Sequence, residues 1–117
     1  MTMLNIAAVI LALAALGGAY MALMHFRGQS PPSTLLAIGH GILAFTGLVI
    51  LGLTAVSQGA GMVLWTLIFL VFAAALGFIL FFGYHMQRRI LPTVLVGLHG
   101  AFAVIAYVIL LVALLAR

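Results

Sequence analysis

Four long apolar runs dominate this sequence, and each is long enough to cross a lipid bilayer. A spanning helix needs about 20 apolar residues. The runs are separated by the short segments "RGQSPPS", "SQGAG" and "QRRILP", and they cover about 3–26, 31–57, 61–86 and 91–116. Only 3% of the residues are charged, whereas a soluble domain carries about 25%. The sequence therefore predicts an all-α fold, an integral membrane four-helix bundle, as a single transmembrane domain over 1–117.

Proline and serine residues indicate where two of these helices begin. Ser30 is followed by Pro31, which predicts an N-cap and a proline in the first turn of the second helix. Pro92 suits the first turn of the fourth helix in the same way.

The sequence also contains an internal repeat. "AALGGAYMALMH" at 14–25 resembles "AALGFILFFGYH" at 74–85, and "TLLAIGHGILA" at 34–44 resembles "TVLVGLHGAFA" at 93–103. We therefore expect two helical hairpins of the same orientation, a first hairpin over 1–58 and a second over 59–117. Parallel repeats of this kind are related by an axis along the membrane normal.

All four charged residues are arginines, and three of them lie in two loops. Arg27 follows the first run, and Arg88 and Arg89 follow the third, whereas the middle loop has no charge. The positive-inside rule then predicts that these two arginine loops face the cytoplasm and that both termini lie outside. Arg117, at the C-terminus, counts weakly against this orientation. We expect the inner membrane of a bacterium or archaeon. Four scattered arginines are too few for a nucleic-acid surface.

The absence of three residue types restricts the available chemistry. The chain contains no Cys, Asp or Glu. This excludes disulfides, thiolate metal sites, iron–sulfur clusters and the thioether attachment of a c-type haem. It also excludes carboxylate ligands and carboxylate general acids. Histidine remains as the strong side-chain ligand, with methionine as a soft second.

Four histidines lie toward the arginine loops, in two layers. His25 and His85 end the first and third runs, and His40 and His99 lie about 10 Å inside the second and fourth helices at 1.5 Å per residue. An ionisable residue within the membrane is a functional-site hypothesis by default. The alternatives are an interfacial role for the outer two histidines and an interhelical hydrogen bond for the inner two.

Bundle geometry favours metal ligation by these pairs. The second and fourth helices of an up-down-up-down bundle are diagonal neighbours. Adjacent axes lie about 8–10 Å apart, which makes the diagonal about 12–14 Å. We expect this gap to be too wide for direct contact between His40 and His99 and suited to two imidazoles on one iron, with a porphyrin between the other helices. His25 and His85 form a second pair at matching depth, one layer nearer the arginine loops.

Small and basic residues surround these histidines in the sequence. Gly41 and Gly100 each follow an inner histidine, and glycine leaves room for a flat macrocycle, although it serves close helix packing equally well. Arg27, Arg88 and Arg89 lie on the histidine side with no acidic residue to pair with them. They are candidates to hold the propionates of a haem b, whose burial without partners is costly.

The chain resembles the membrane b-type cytochromes at the level of this pattern. The resemblance covers the four spans and the "GHG" (39–41) and "HG" (99–100) steps. The diagonal pairing within a four-helix core also resembles the cytochrome b561 type and the haem-bearing anchor subunits of respiratory enzymes. It implies that His40 and His99 are axial ligands of one haem b, and it allows a second haem at His25 and His85. The b561-type proteins hold haems in both leaflets, whereas all four histidines here lie in one.

The expected function is electron transfer by a subunit rather than by a stand-alone enzyme. It would exchange electrons with quinone or with a larger membrane redox complex. Its surface would contact lipid, and it would bind either a companion protein or further copies of itself. One alternative is a cofactor-free structural or assembly subunit. Another is a small transporter or copper handler that uses histidine with Met21, Met24 and Met86.

Overall fold

The computed structural model describes residues 2–30 and 33–116, and every regular element within them is helical. The elements are α1 (Met3–Phe26), α2 (Thr34–Gln58), α3 (Gly61–Phe78) with a π-helical segment (Ile79–His85), and α4 (Thr93–Leu115). Each of the four, with α3 and its π segment counted as one, is long and apolar enough to span a membrane. The protein is an integral multi-pass membrane protein with the predicted fold class.

The helices form a bundle of two hairpins. The largest helix interfaces are α1 with α2 and α3 with α4, and equal smaller ones join α1 to α4 and α2 to α3. This leaves α1 opposite α3 and α2 opposite α4 across the bundle. The inner histidines are therefore on diagonal helices, as the up-down-up-down arrangement requires.

The core repeats with a constant spacing of 59 residues. Buried Leu11 corresponds to buried Leu70, and buried Leu51 to buried Leu110. The other matched pairs of buried residues are 4 with 63, 7 with 66, 14 with 73, 47 with 106 and 54 with 113. Most of these side chains are small, which lets membrane helices approach closely.

This core occupies the half of the bundle away from the arginine loops. Between the histidine level and those loops, Leu80 alone is fully buried among the described residues. One half is thus closely packed apolar side chains, and the other half contains the histidines among half-buried residues.

The π segment changes the repeat spacing from 59 to 60. The backbone N–H of Met86 donates to the carbonyl of Phe81, five residues back, at 2.8 Å. Such a bond accommodates one extra residue in a helix. His85 therefore reaches the position equivalent to His25, although Ala14 corresponds to Ala73 in the core. The predicted superposition of "AALG" on "AALG" is wrong by one residue for this reason.

Two predicted helix starts also need correction. The N-cap of α2 is Ser33, whose hydroxyl oxygen accepts from the backbone N–H of Leu36 at 3.1 Å, so Ser30 is not the cap. Pro92 is the residue before the first turn of α4 rather than within it. Pro31 and Arg117 lie outside the described residues.

Candidate functional site

The inner pair, His40 and His99, meets at the centre of the bundle. The ring centroids are 6.1 Å apart and the ring planes are inclined by 81°, an edge-to-face arrangement. The prediction that the diagonal is too wide for direct contact is therefore wrong. Both side chains extend inward from opposite corners, and together they cross the gap between the two helices.

Each inner imidazole is held by a backbone carbonyl of the preceding helix. Nδ1 of His40 lies 2.8 Å from the carbonyl oxygen of Ala14, and Nδ1 of His99 lies 2.7 Å from that of Ala73. Because a carbonyl only accepts, Nδ1 must carry the hydrogen. In the neutral ring the Nε2 atom then has a free lone pair, which is the orientation typical of metal-ligating histidines.

The Nε2 atoms of the inner pair have no hydrogen-bond partner within residues 2–30 and 33–116. No fully buried side-chain nitrogen or oxygen of that part lacks a partner. These Nε2 atoms are therefore accessible rather than enclosed by protein atoms. The arrangement leaves one ring nitrogen of each inner histidine without a protein partner among the described residues.

Two glycines on α1 and on α3 make room for these rings. A Cβ atom at Gly18 would lie 2.8 Å from Cε1 of His40, and one at Gly77 would lie 2.9 Å from Cε1 of His99. Real Cβ contacts are not this short, so any side chain here would displace the imidazole. Neither glycine is predicted from the sequence to lie beside a histidine. A signal was available, because Gly18 and Gly77 are separated by the same 59 residues as the inner pair.

The glycines selected from sequence are placed differently. A Cβ atom at Gly41 or Gly100 would meet nothing within 4 Å among the described residues. Their proposed role beside a cofactor stays a prediction, and the close approach to the histidines belongs to Gly18 and Gly77.

The outer pair, His25 and His85, uses the opposite ring nitrogen. Nε2 of His25 lies 3.0 Å from the hydroxyl of Thr93, and Nε2 of His85 lies 3.2 Å from the hydroxyl of Thr34. Each bond joins the first helix of one hairpin to the start of the second helix of the other hairpin. Both Nε2 atoms are thus already occupied by protein partners.

Two of the three loop arginines lie near the outer pair. Arg88 and Arg89 line a pocket of about 470 Å³ together with His85 and Thr34. Arg27 lies at the end of α1, in the corresponding turn of the first hairpin, and does not line that pocket. Their role toward propionates stays a prediction.

The two hairpins differ on the outer surface beside the inner pair. A groove of about 540 Å³ reaches His40 between Leu13, Gly17, Gly39 and Leu43. At a spacing of 59 residues the second hairpin has a larger residue at each of these four positions, namely Phe72, Leu76, Leu98 and Phe102. The rings of Phe72 and Phe102 stack with centroids 5.6 Å apart. An approach from the lipid side is therefore open at His40 and filled at His99.

The histidines do not form a larger metal cluster. Among the described residues, no group of three or more His, Cys, Asp or Glu side chains is placed to hold a metal ion. Comparisons with protein-family models, curated proteins and solved structures give no match to this chain. The function is therefore argued from the site alone.

Proposed function

We propose that this protein is a membrane b-type cytochrome, an electron-transfer subunit in which His40 and His99 bind the iron of one haem b. The observation that carries the proposal is the orientation of the inner pair. Each Nδ1 is bound to a backbone carbonyl, and each Nε2 is left as an accessible lone-pair donor. A hydrogen bond of this kind orients the ring and raises its basicity as a ligand.

The spacing of the inner pair fits ligation of a single metal from two sides. A metal–imidazole bond is about 2.0–2.1 Å long, so two imidazoles on opposite sides of one ion have ring centroids about 6 Å apart. The centroids of His40 and His99 are 6.1 Å apart. The separation of the two rings is therefore close to that of a bis-imidazole site.

The small number of protein ligands favours haem over a bare ion. Two imidazoles are neighbours at the centre, and no group of three or more potential ligands is placed to hold a metal ion among the described residues. A bare zinc ion takes three or four protein ligands, whereas the porphyrin supplies four nitrogens of its own and needs only axial ligands from the protein. The histidine half is the less closely packed one, because nearly all buried side chains lie in the other half, and a surface groove reaches His40.

The chain's own residues would position and tune such a group. When bound, the haem supplies a one-electron iron couple. The carbonyls of Ala14 and Ala73 fix the two imidazoles, and the surrounding apolar side chains exclude water, which affects the reduction potential. Arg88, Arg89 and Arg27 lie at the end of the bundle nearest the inner pair, where their positive charges favour carboxylates.

The outer pair is better suited to joining the hairpins than to a second haem. Both of its Nε2 atoms are hydrogen-bonded to threonine hydroxyls, so a metal would have to displace them. We therefore propose one haem, with Thr34 and Thr93 as the partners of the outer histidines.

The electron partner would approach from the lipid phase or from another subunit. The groove beside His40 admits a lipid-soluble carrier such as a quinone, and the nearly complete absence of charge outside the loops suits a place within a larger membrane redox complex or a homo-oligomer. The proposed orientation places the arginine loops, and hence the haem, toward the cytoplasm.

A second candidate function is a cofactor-free structural subunit. The two histidine–threonine bonds favour it, because they join helices of different hairpins without needing a ligand. The edge-to-face contact of His40 with His99 is a further direct link across the bundle.

The test is to purify the full chain in detergent and to record oxidised and dithionite-reduced absorption spectra with the haem-to-protein ratio. We expect a Soret band that shifts on reduction, one haem per chain, and no change when carbon monoxide is added, because both axial positions are taken by histidine. A colourless protein that takes up no added haemin would favour the structural subunit. Bound copper without haem would favour a copper handler, and two haems per chain would contradict the role assigned to the outer pair.

A further inference from the structure

A basic pocket lies at the arginine-loop end of the bundle, apart from the inner pair. It lies between the start of α2 and the turn that follows the π segment, and its volume is about 470 Å³. Its polar lining consists of hydroxyl and cationic side chains, namely Ser33, Thr34, His85, Arg88 and Arg89. The chain has no Asp or Glu, so no acidic side chain of the protein neutralises this pocket.

In the first hairpin, the first helix ends in a common type of C-terminal turn, in which a left-handed glycine follows the helix. The backbone N–H of Gly28 donates to the carbonyl of His25 at 3.0 Å, and that of Gln29 donates to the carbonyl of Met24 at 3.0 Å. Gly28 has a φ of 68°. Glycine is the usual residue at this left-handed position because it has no Cβ.

The second hairpin has the same turn with arginine in place of glycine. Arg88 donates to the carbonyl of His85 at 3.1 Å, and Arg89 donates to that of Tyr84 at 2.9 Å. Arg88 has a φ of 55° and is the one non-glycine residue with positive φ in the described part of the chain. This conformation is unfavourable for a residue with a side chain, and the first hairpin has Gly28 at the equivalent position.

The neighbouring Arg89 has a defined position. One of its guanidinium nitrogens donates to the carbonyl of Gly83 at 3.3 Å, and the guanidinium carbon lies 4.6 Å from the centre of the Tyr84 ring. A guanidinium has five N–H donors, so most of them remain available. The corresponding position of the first hairpin is the uncharged Gln29, and Gln87 takes the place of Arg27, so the second turn carries two arginines and the first carries one.

Apolar side chains border the same pocket. Met86 is 52% exposed and Ile90 is 91% exposed, and both line the pocket with Leu91. The pocket therefore combines uncompensated positive charge with exposed apolar surface at the end of the spanning helices. An amphiphile with an anionic head matches both features, and basic pockets between transmembrane helices bind such head groups.

We propose that this pocket binds the headgroup phosphate of an anionic phospholipid. Arg88 and Arg89 would hold the phosphate, the hydroxyl of Ser33 or Thr34 would donate to it, and the acyl chains would lie against Met86 and Ile90. The inference does not involve the inner pair, because neither of those histidines lines the pocket. It assigns Arg88 and Arg89 to a lipid phosphate in place of the haem propionates.

The experiment is native mass spectrometry of the full chain in detergent, titrated with phosphatidylglycerol and with phosphatidylcholine. The test variant is Arg88→Gly with Arg89→Gln, which gives the second turn the residues of the first and removes the strained arginine. The matched control is Arg27→Gln, which removes a charge from the other arginine loop and introduces the residue found at position 87.

We expect the double variant to bind phosphatidylglycerol about thirty-fold more weakly than the unchanged protein. Each arginine near the membrane surface contributes about 1 kcal/mol, and about 1.4 kcal/mol corresponds to a tenfold change in affinity. The Arg27→Gln control should bind the lipid as the unchanged protein does. An equal loss of affinity in Arg27→Gln would overturn the proposal, because it would show that the lipid responds to general surface charge rather than to this pocket.

Displacement of the lipid by millimolar inorganic phosphate would overturn the lipid assignment in favour of a free phosphate. Loss of haem from the double variant with lipid binding retained would also overturn it, because the arginines would then hold propionates. A colourless wild-type protein that still binds the lipid would contradict only the cytochrome.

Discussion

The two members of each histidine pair occupy equivalent positions in the repeat, but the inner and outer pairs use opposite ring nitrogens. His40 and His99 bind backbone carbonyls through Nδ1, and their Nε2 atoms have no protein partner among the described residues. His25 and His85 bind threonine hydroxyls through Nε2. The same residue type, duplicated within the same half of the bundle, thus leaves a ring nitrogen without a protein partner in one layer and joins two hairpins in the other.

This difference follows from the surroundings of each pair. The inner rings contact helix backbone, where Gly18 and Gly77 bring a carbonyl within reach of Nδ1. The outer rings lie at helix ends, where Thr34 and Thr93 open α2 and α4 and present hydroxyls. A histidine in a membrane helix is therefore best judged by which of its nitrogens the protein already uses.

The largest effect is expected when the inner rings are displaced. Gly18→Ala or Gly77→Ala would place a Cβ atom 2.8 or 2.9 Å from an imidazole carbon. We expect haem affinity to fall by about tenfold to a hundredfold, as for other changes that disturb a ligand's orientation, and the free energy of unfolding to fall by about 1–3 kcal/mol from overpacking. Haemin titration and unfolding in denaturing detergent measure the two quantities.

Gly39→Ala and Gly97→Ala are the matched controls for this prediction. A Cβ atom at either position meets nothing within 4 Å, so both variants should behave like the unchanged protein. If all four glycine variants lost haem equally, close packing of the histidines on Gly18 and Gly77 would not be the reason.

A smaller effect is expected when the outer pair loses its partners. Thr34→Val and Thr93→Val keep the shape of the side chain and remove the hydroxyl. Each should lower the free energy of unfolding by about 0.6 kcal/mol, the average for a hydrogen bond between membrane helices, and should leave the haem-to-protein ratio unchanged. Thr46→Val is the control, because the Thr46 hydroxyl donates to the carbonyl of Ile42 in its own helix at 2.7 Å. A loss of haem in either test variant would contradict the separation of the two layers.

The smallest effect is expected in the half of the bundle that has no histidine. The hydroxyl of Tyr107 donates to the carbonyl of Ala8 at 2.9 Å, and residue 48, its counterpart in the first hairpin, is leucine. Tyr107→Phe should lower the free energy of unfolding by no more than about 0.6 kcal/mol. The reduced and oxidised spectra should not change, and a shifted Soret band would show that the two halves are coupled.

Much of the fold could be predicted because it depends on apolar length. Four runs without carboxylates must become membrane spans, and their order places α2 and α4 on a diagonal. The spacing of 59 residues between His40 and His99 was likewise visible in the repeat. Those features need no knowledge of side-chain contacts.

The remaining features depend on the register between helices. The matched "AALG" segments indicate a spacing of 60, whereas the core requires 59, and only the π segment reconciles the two. For the same reason Gly41 and Gly100, which adjoin the histidines in sequence, were preferred to Gly18 and Gly77, which contact them in space. The left-handed Arg88 could not be inferred, because the preference of that position for glycine is visible only once the two turns are superimposed.

The most direct test of the account is the haem-to-protein ratio of four single variants, His40→Ala, His99→Ala, His25→Ala and His85→Ala, purified in parallel. The account predicts that removal of either inner axial ligand lowers the ratio to about a tenth of the unchanged protein or less, since the porphyrin then loses one of its two protein bonds. It predicts that the two outer variants keep most of their haem and lose only a modest part of their stability. Equal retention of haem by all four variants, or a greater loss in the outer two, would contradict the assignment of His40 and His99 as the ligands.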